Sequence, residues 1–285
     1  MLVLSLMALV ASDVSYSYSG PQQRKDAPLD AFHIVQWPKG HTLYTASPDI
    51  NLRTEANTSS EVVEKLPMGV AVRVLAEPSL KALAGGRADY WYRVKSGQKT
   101  GYLHGSTLTP FAYRWSRRSQ NTVATVAWGP NYKIIVRVLG ASGAEDSALH
   151  TTRLDPGGQA YACCGGYIES EWISQATAGA PLLKVHSTVE ACADHVTYYL
   201  DFDAKNPRVV LTTSGLIDPP TYARASTEFR SAPRQAEVKS VSYYLGDNDK
   251  ELCKSETTVA HRWDGSRYVP GAEKTRELTP CPEGY

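Results

Sequence analysis

Between His41 and Leu108 the chain alternates apolar and polar residues at the short period that only half-buried strands use. Val70, Val72 and Val74 alternate with Ala71 and Arg73, the pattern of a strand with one face in a core. Trp91 and Arg93 alternate with Tyr92 and Val94, so one side of that strand is expected in the core and the other in solvent or on a ligand. Leu66-Pro67-Met68-Gly69 fixes φ at the proline and frees it at the glycine, which suits a tight reversal. A segment this short cannot grow a large core, so its aromatic residues must supply much of the burial. These features predict a small β-barrel over residues 42–110. Leu80–Asp89, centred on Gly85-Gly86, reads as a long loop before the Trp91 strand. Ser79–Ala84 is the best candidate for a helix anywhere in the chain, of a turn or two at most.

The order of motifs carries more than the alternation does. An Asn51-Leu52-Arg53 strand is followed by the Leu66–Gly69 turn and the Val70–Leu75 strand. Then come Tyr90-Trp91-Tyr92-Arg93-Val94-Lys95 and Gly101-Tyr102 ending at Leu108. In this arrangement the segment resembles a bacterial SH3 domain, over about a quarter of the chain. The resemblance implies an SH3-like barrel and a recognition module of an envelope or secreted protein, binding a peptide or a peptidoglycan-like ligand. Family members often have a shorter connection where Leu80–Asp89 lies.

A peptide-binding face needs flat aromatic area plus a few polar groups that fix orientation. Tyr44, Asn51, Tyr90, Tyr92, Tyr102 and His104 are the barrel residues of that type, and they form the candidate ligand-binding set. Tyr90 and Tyr92 project opposite to Trp91, which is assigned to the core. Asn51 and Arg53 flank the core position Leu52.

At 285 residues the chain should hold two domains or three. A formal net charge of +1 sets up no strong field towards nucleic acid or an anionic membrane, and neither is expected as a partner. Seventeen Tyr and six Trp against four Phe indicate half-exposed aromatic surfaces, as strands and binding faces have. The fold class expected is all-β. Met1–Ala11 is almost wholly apolar and turns polar at Ser12-Asp13. The run is too short for a transmembrane segment, which takes about 20 residues, and it fits the apolar part of a signal peptide, here residues 1–12. The basic start such a signal usually has is missing. Residues 13–41, rich in Ser, Tyr, Gln and Pro, read as a flexible lead-in.

Cys163, Cys164, Cys192, Cys253 and Cys281 all lie beyond the barrel. They form no pair of Cys-x-x-Cys knuckles, so neither a zinc site nor any other metal or cofactor is expected. In an oxidising compartment they would make two disulfides and leave one thiol. The preferred pairs are Cys253 with Cys281, and Cys192 with Cys163 or Cys164. Residues 111–121 read as a linker. Its arginines interleave with Tyr113 and Trp115 and are read as a solvated connector rather than a nucleic-acid patch.

Residues 122–285 read as strands and turns, a disulfide-containing antiparallel β-sandwich or meander. Asp264-Gly265 marks a two-residue hairpin turn. Val196-Thr-Tyr-Tyr-Leu-Asp is echoed by Val241-Ser-Tyr-Tyr-Leu-Gly, a spacing close to the ~40–45 residues of a propeller blade. Two copies do not make a ring, and a sandwich or meander is preferred.

Chemistry-bearing pairs are sparse. Cys164 with His186 or His195 has the residue types of a thiol–imidazole pair, but the sequence around it, Tyr161-Ala-Cys-Cys-Gly-Gly-Tyr167, lacks the signature of wall-degrading cysteine peptidases. Asp201 and Asp203 share a strand face at the end of a strand, where acidic residues are ordinary. Asp247-Asn248-Asp249 lacks the Gly and Glu of a calcium loop. Asn57-Thr58-Ser59 is a glycosylation sequon. The reading is therefore a periplasmic or secreted binding protein of the cell envelope, without enzymatic activity. The alternative is a cell-wall hydrolase whose C-terminal half carries an unrecognised catalytic domain. A third reading is a scaffold whose barrel packs only on its own C-terminal half.

Overall fold

The computed structural model describes residues 16–19, 33–34, 36–78, 80–117, 120–129, 133–141, 149–154, 166–177, 180–189, 195–202, 207–218, 221–230, 234–245 and 251–279. The expected signal peptide, Asp203, the Asp247–Asp249 turn and Cys163, Cys164, Cys192 and Cys281 lie outside them. Among the described residues the chain is built from antiparallel strands, with one 3-10 turn at Gly105–Thr107. It forms two compact units, Met1–Asp155 with Tyr161–Glu169, and Pro156–Ala160 with Ser170–Tyr285.

The first unit opens with β1 (Tyr16–Ser19) and β2 (His33–Ile34), which pair with each other. The barrel follows: β3 (Thr42–Thr45), β4 (Ile50–Arg53), β5 (Val62–Leu66), β6 (Ala71–Val74), β7 (Leu80–Ala84), β8 (Arg87–Ser96), β9 (Lys99–His104) and β10 (Leu108–Thr109). Its strand order is β10-β3-β6-β8-β9-β4-β5, with β7 added on β8. Leu43, Leu52, Val72, Val74, Tyr92, Val94 and Leu103 are buried to 1% exposure or less and fill the interior. Gly69 takes the turn before β6 at φ 73°, as its place after Pro67 and Met68 requires.

Three local expectations are corrected. Residues 13–41 are not simply a flexible lead-in, since β1 and β2 pair within them and Trp37 is buried. Leu80–Asp89 is neither a loop nor a helical turn. It forms a hairpin in which Leu80 faces Trp91, Lys81 faces Tyr90 and Ala84 faces Arg87. Gly85 and Gly86 sit at φ 57° and 78°, the left-handed pair that a two-residue turn needs to keep the twist of its strands. Residues 111–121 are not a connector. Phe111–Arg117 is β11, paired along its whole length with β12 (Gln120–Trp128). With β13 (Ile134–Ala141) and β14 (Leu149–Leu154) these make a four-stranded meander.

That meander belongs to the barrel's unit and packs on it through buried and partly buried polar contacts. Thr125 Oγ1 donates to the Ala46 carbonyl at 2.9 Å, Arg137 Nη1 to the same oxygen at 3.3 Å, and Arg114 Nη2 to the Gly69 carbonyl at 2.6 Å. Thr109 Oγ1 donates to the Val126 carbonyl. Phe111, Val126, Trp128 and Ile134 are buried beside them.

The second unit is a meander of long strands: β15 (Gly166–Thr177), which belongs to it from Ser170 on, β16 (Ala180–Val189), β17 (His195–Asp201), β18 (Arg208–Asp218), β19 (Thr221–Arg230), β20 (Gln235–Leu245), β21 (Glu251–Trp263) and β22 (Tyr268–Thr279). Each pairs with the next. The two halves of the Val196/Val241 echo fall on β17 and β20, within one continuous sheet rather than in separate blades. Leu182, Tyr199, Val210, Leu211, Ala236 and Tyr268 form its core, with Phe229 and Trp263 against it. Phe229 meets Tyr199 edge-on at 4.9 Å and Tyr268 at 5.5 Å, the aromatic geometry that adds to plain burial. The last hairpin closes over Gly265-Ser266, one residue later than Asp264-Gly265. Asp264 N donates to the Arg267 carbonyl at 3.1 Å, and the Asp264 carboxylate accepts from Ser266 N and Arg267 N. The exposed edge strand β22 carries Pro270, Glu273, Lys274, Arg276 and Glu277, residues that discourage pairing with another sheet.

Tyr92 is fully buried, and the Trp37 backbone N–H donates to its hydroxyl at 3.4 Å. Tyr92→Ala is expected to cost about 3–5 kcal/mol, read as a large fall in the denaturant midpoint of the intact protein. A midpoint within error of the wild type would mean that Tyr92 is not a core residue.

Candidate functional site

The barrel sorts the six sequence-selected residues by strand parity. On β8 the side of Tyr92 and Val94 faces the interior. On the opposite side Trp91 is 3% exposed, while Arg93 and Lys95 are exposed. Trp91 is buried because the β7 hairpin and β9 flank it: it faces Leu80 on one strand and His104 on the other, with its ring edge-on to the imidazole at 5.2 Å. Alternation therefore places Trp91 and Tyr92 on different faces, and both faces are covered at that level.

Burial removes three of the six from a contact surface. Tyr92 is core. Tyr44 is 8% exposed, and burial pushes its hydroxyl pKa up, opposed by the Arg114 guanidinium. His104 is 3% exposed. Its Nδ1 meets Ser106 Oγ at 2.7 Å and its Nε2 meets the Ala82 carbonyl at 3.0 Å, so it ties the β7 hairpin to the 3-10 turn. Burial holds it below the usual imidazole range, and a neutral ring suits that bridging role. Asn51, Tyr90 and Tyr102 remain half-buried. Tyr90 lies on the interior side, edge-on to Tyr92 at 6.5 Å, with Lys81 Nζ 5.8 Å from its ring centre. Tyr102 lies on the outer side between Arg53 and Arg93. The structure thus does not bring Tyr90 and Tyr102 together.

The outer side of β4, β9, β8 and β6 is where sequence reasoning stopped short. Register sets Arg53, Tyr102 and Arg93 in one row across three strands, and Thr100, Lys95 and Arg73 in the next. Arg73, Arg93 and Lys95 are exposed and make no salt bridge among the described residues. Arg53 donates to the Ser60 carbonyl at 2.6 Å. The signal was present as cations at alternate positions, Arg93 and Lys95, but only the register shows that Arg53 and Arg73 join them.

The pairs weighed for catalysis have structural partners. Asp201 is 5% exposed and bridges Arg208 Nη2 at 3.4 Å. His186 lies 5.6 Å from His195, centre to centre, and is held by Thr197 Oγ1 at 2.9 Å and Thr188 Oγ1 at 3.2 Å. Burial first, then the His195 and Lys184 charges, pull its pKa down to about 4. Cys164, the nucleophile weighed with them, lies outside the described residues.

One buried carboxyl stands beside the His104 bridge. Asp89 accepts from the Tyr90 N–H at 2.7 Å, and burial raises its pKa to about 7 against the opposing Arg87 charge. Arg87 itself donates to the carbonyls of Ser106 at 3.1 Å and Trp128 at 2.5 Å. The native state holds the Asp89 proton more tightly than the unfolded chain does. Stability from this group is complete below about pH 4 and is lost as pH rises through about 7. Asp89→Asn should melt higher than the wild type at pH 8 and no higher near pH 4. A lower melting temperature at pH 8 would show that the Arg87 attraction outweighs desolvation.

Residues 48–109 match the family model of the bacterial SH3 domain, inside the 42–110 span expected from the motifs. No curated protein and no solved structure matches the chain.

Proposed function

We propose that this chain is an exported, non-enzymatic binding protein whose bacterial SH3 domain, a module class that binds peptide or cell-wall ligands, holds the chain to peptidoglycan. The observation that carries the reading is the division of labour within the barrel. Its interior consumes Tyr92, Leu43, Leu52 and Leu103, while Tyr102 stays half-exposed on an outer face ringed by cations. A small barrel that needed all its aromatics for stability would leave no such face. The non-enzymatic part is supported by the partners of Asp201 and His186 given above. Export is supported by the apolar start of the chain and by the five cysteines of its second half, which suit two disulfides in an oxidising compartment. Among the described residues no helix is long and apolar enough to cross a membrane.

Two measurements test this. Purified full-length protein should sediment with insoluble peptidoglycan without releasing soluble fragments. Retention should weaken by about 1–3 kcal/mol in Tyr102→Ala, with little change in melting temperature. Turnover of the wall material would instead support the hydrolase reading, and retention that ignores Tyr102 would move the contact elsewhere. Non-reducing mass spectrometry of protein from its native compartment should show the mass deficit of two disulfides, Cys253–Cys281 and Cys192 with Cys163 or Cys164. Five free thiols would overturn both the pairing and the export argument.

A further inference from the structure

The outer face of β4, β9, β8 and β6 gathers Arg53, Arg73, Arg93 and Lys95 around Tyr102. The two rows that hold them contain no carboxylate. Like charges placed side by side across strands oppose each other, and the three exposed cations have no salt-bridge partner among the described residues. A folded domain that neither neutralises nor disperses such a cluster leaves it complementary to an anionic partner. Tyr102 adds flat, rigid area in the middle of it, the kind of anchor that binding faces use at low entropic cost.

We infer that this face binds an acidic peptide in extended conformation; the inference rests on the reading of the barrel as a binding module. Spacing favours a peptide over other polyanions. Arg93 and Lys95 stand two residues apart on one strand, about 6.6–6.8 Å. Carboxylates on alternate residues of an extended peptide repeat at that same distance. Arg73 lies one strand beyond on one side and Arg53 two strands beyond on the other, across β9, at about 4.8 Å per strand, and Arg73 can receive the peptide's terminal carboxylate. The residues between the acidic ones point away from the face, so the Tyr102 ring would meet the peptide backbone and the stems of the acidic side chains.

The test uses the full-length protein and a fluorescein-labelled alternating Glu-Ala peptide, read by anisotropy. A Lys-Ala peptide, inorganic polyphosphate and insoluble peptidoglycan are run as parallel arms. The Glu-Ala peptide should bind and the Lys-Ala peptide should not. Affinity should fall steeply as salt rises from ~0.05 to ~0.5 M. Arg93→Ser with Lys95→Ser should weaken binding about tenfold or more, while Lys274→Ser on β22 should leave it unchanged. If the double variant melts early, Arg73→Ser on the neighbouring strand replaces it, with a several-fold loss expected. Binding that is unaffected by these changes would overturn the assignment. So would capture of polyphosphate without the Glu-Ala peptide. Retention on peptidoglycan with no peptide binding would overturn this inference alone and leave the proposed function standing. Loss of both would overturn both.

Discussion

Trp91 and Tyr92 leave β8 in opposite directions and are both buried, and the arrangement of the barrel follows from covering the two of them. Tyr92 enters the interior, where Leu43, Leu52, Val72, Val74 and Leu103 close around it. Trp91 points outward and would lie in water on an ordinary small barrel. The β7 hairpin and the His104 ring close over it instead. The hairpin is in turn held by His104 to the Ala82 carbonyl, and Arg87 at its other arm is bound to Ser106 and Trp128. One aromatic on the wrong face thus accounts for the added hairpin, the buried histidine and part of the attachment to the four-stranded meander. With an aromatic of this size at stake, burial on each face is worth a few kcal/mol, more than any single polar contact around it.

Much of the barrel was legible in the sequence, because its period-two runs and the Pro67–Gly69 turn are local signals. The candidate site was legible only in part. Alternation correctly put Trp91 opposite Tyr92, yet it cannot say that both faces of one strand are covered. That depends on β7, whose residues Leu80-Lys-Ala-Leu-Ala84 favour a helix by propensity and were pulled into a strand by the glycine pair and by pairing to β8. Tyr44 and His104 failed as surface residues for the same reason: what buries them comes from distant parts of the chain. The 111–121 stretch was misread because its arginines and serines look solvated. Phe111 and Tyr113 are nonetheless buried on one side, and the strand is completed by a partner, β12, most of which lies beyond residue 121.

In the second unit the opposite held. Strand positions were readable, since β16 to β21 have long alternating runs, but their three-dimensional closure was not. The aromatic contacts that fold the meander onto itself join Tyr199, Phe229 and Tyr268 across large sequence separations. No periodicity carries that information. Strand ends were also extended beyond their sequence signals, as in β22, where the Beta-poor Pro270-Gly271 is tolerated on an edge and pairing with β21 continues to Thr279.

The two electrostatic environments of the barrel are separated by burial, and that separation lets recognition and stability change independently. Asp89 and His104 sit on the covered side, where desolvation dominates and both groups prefer the neutral form. Lowering pH protonates them in turn with opposite consequences, because the native state gains a proton readily at Asp89 and resists one at His104. Their contributions to stability therefore have opposite signs as pH falls. Arg73, Arg93 and Lys95 are on the solvated side, where screening by water and salt keeps their mutual repulsion small. Such a cluster costs the fold little and is free to vary in number and placement. On the reading of this face as a binding surface, a carboxylate ligand that displaces water from it would gain from every cation at once, and the charge of the face, rather than the shape of the core, would set what it holds.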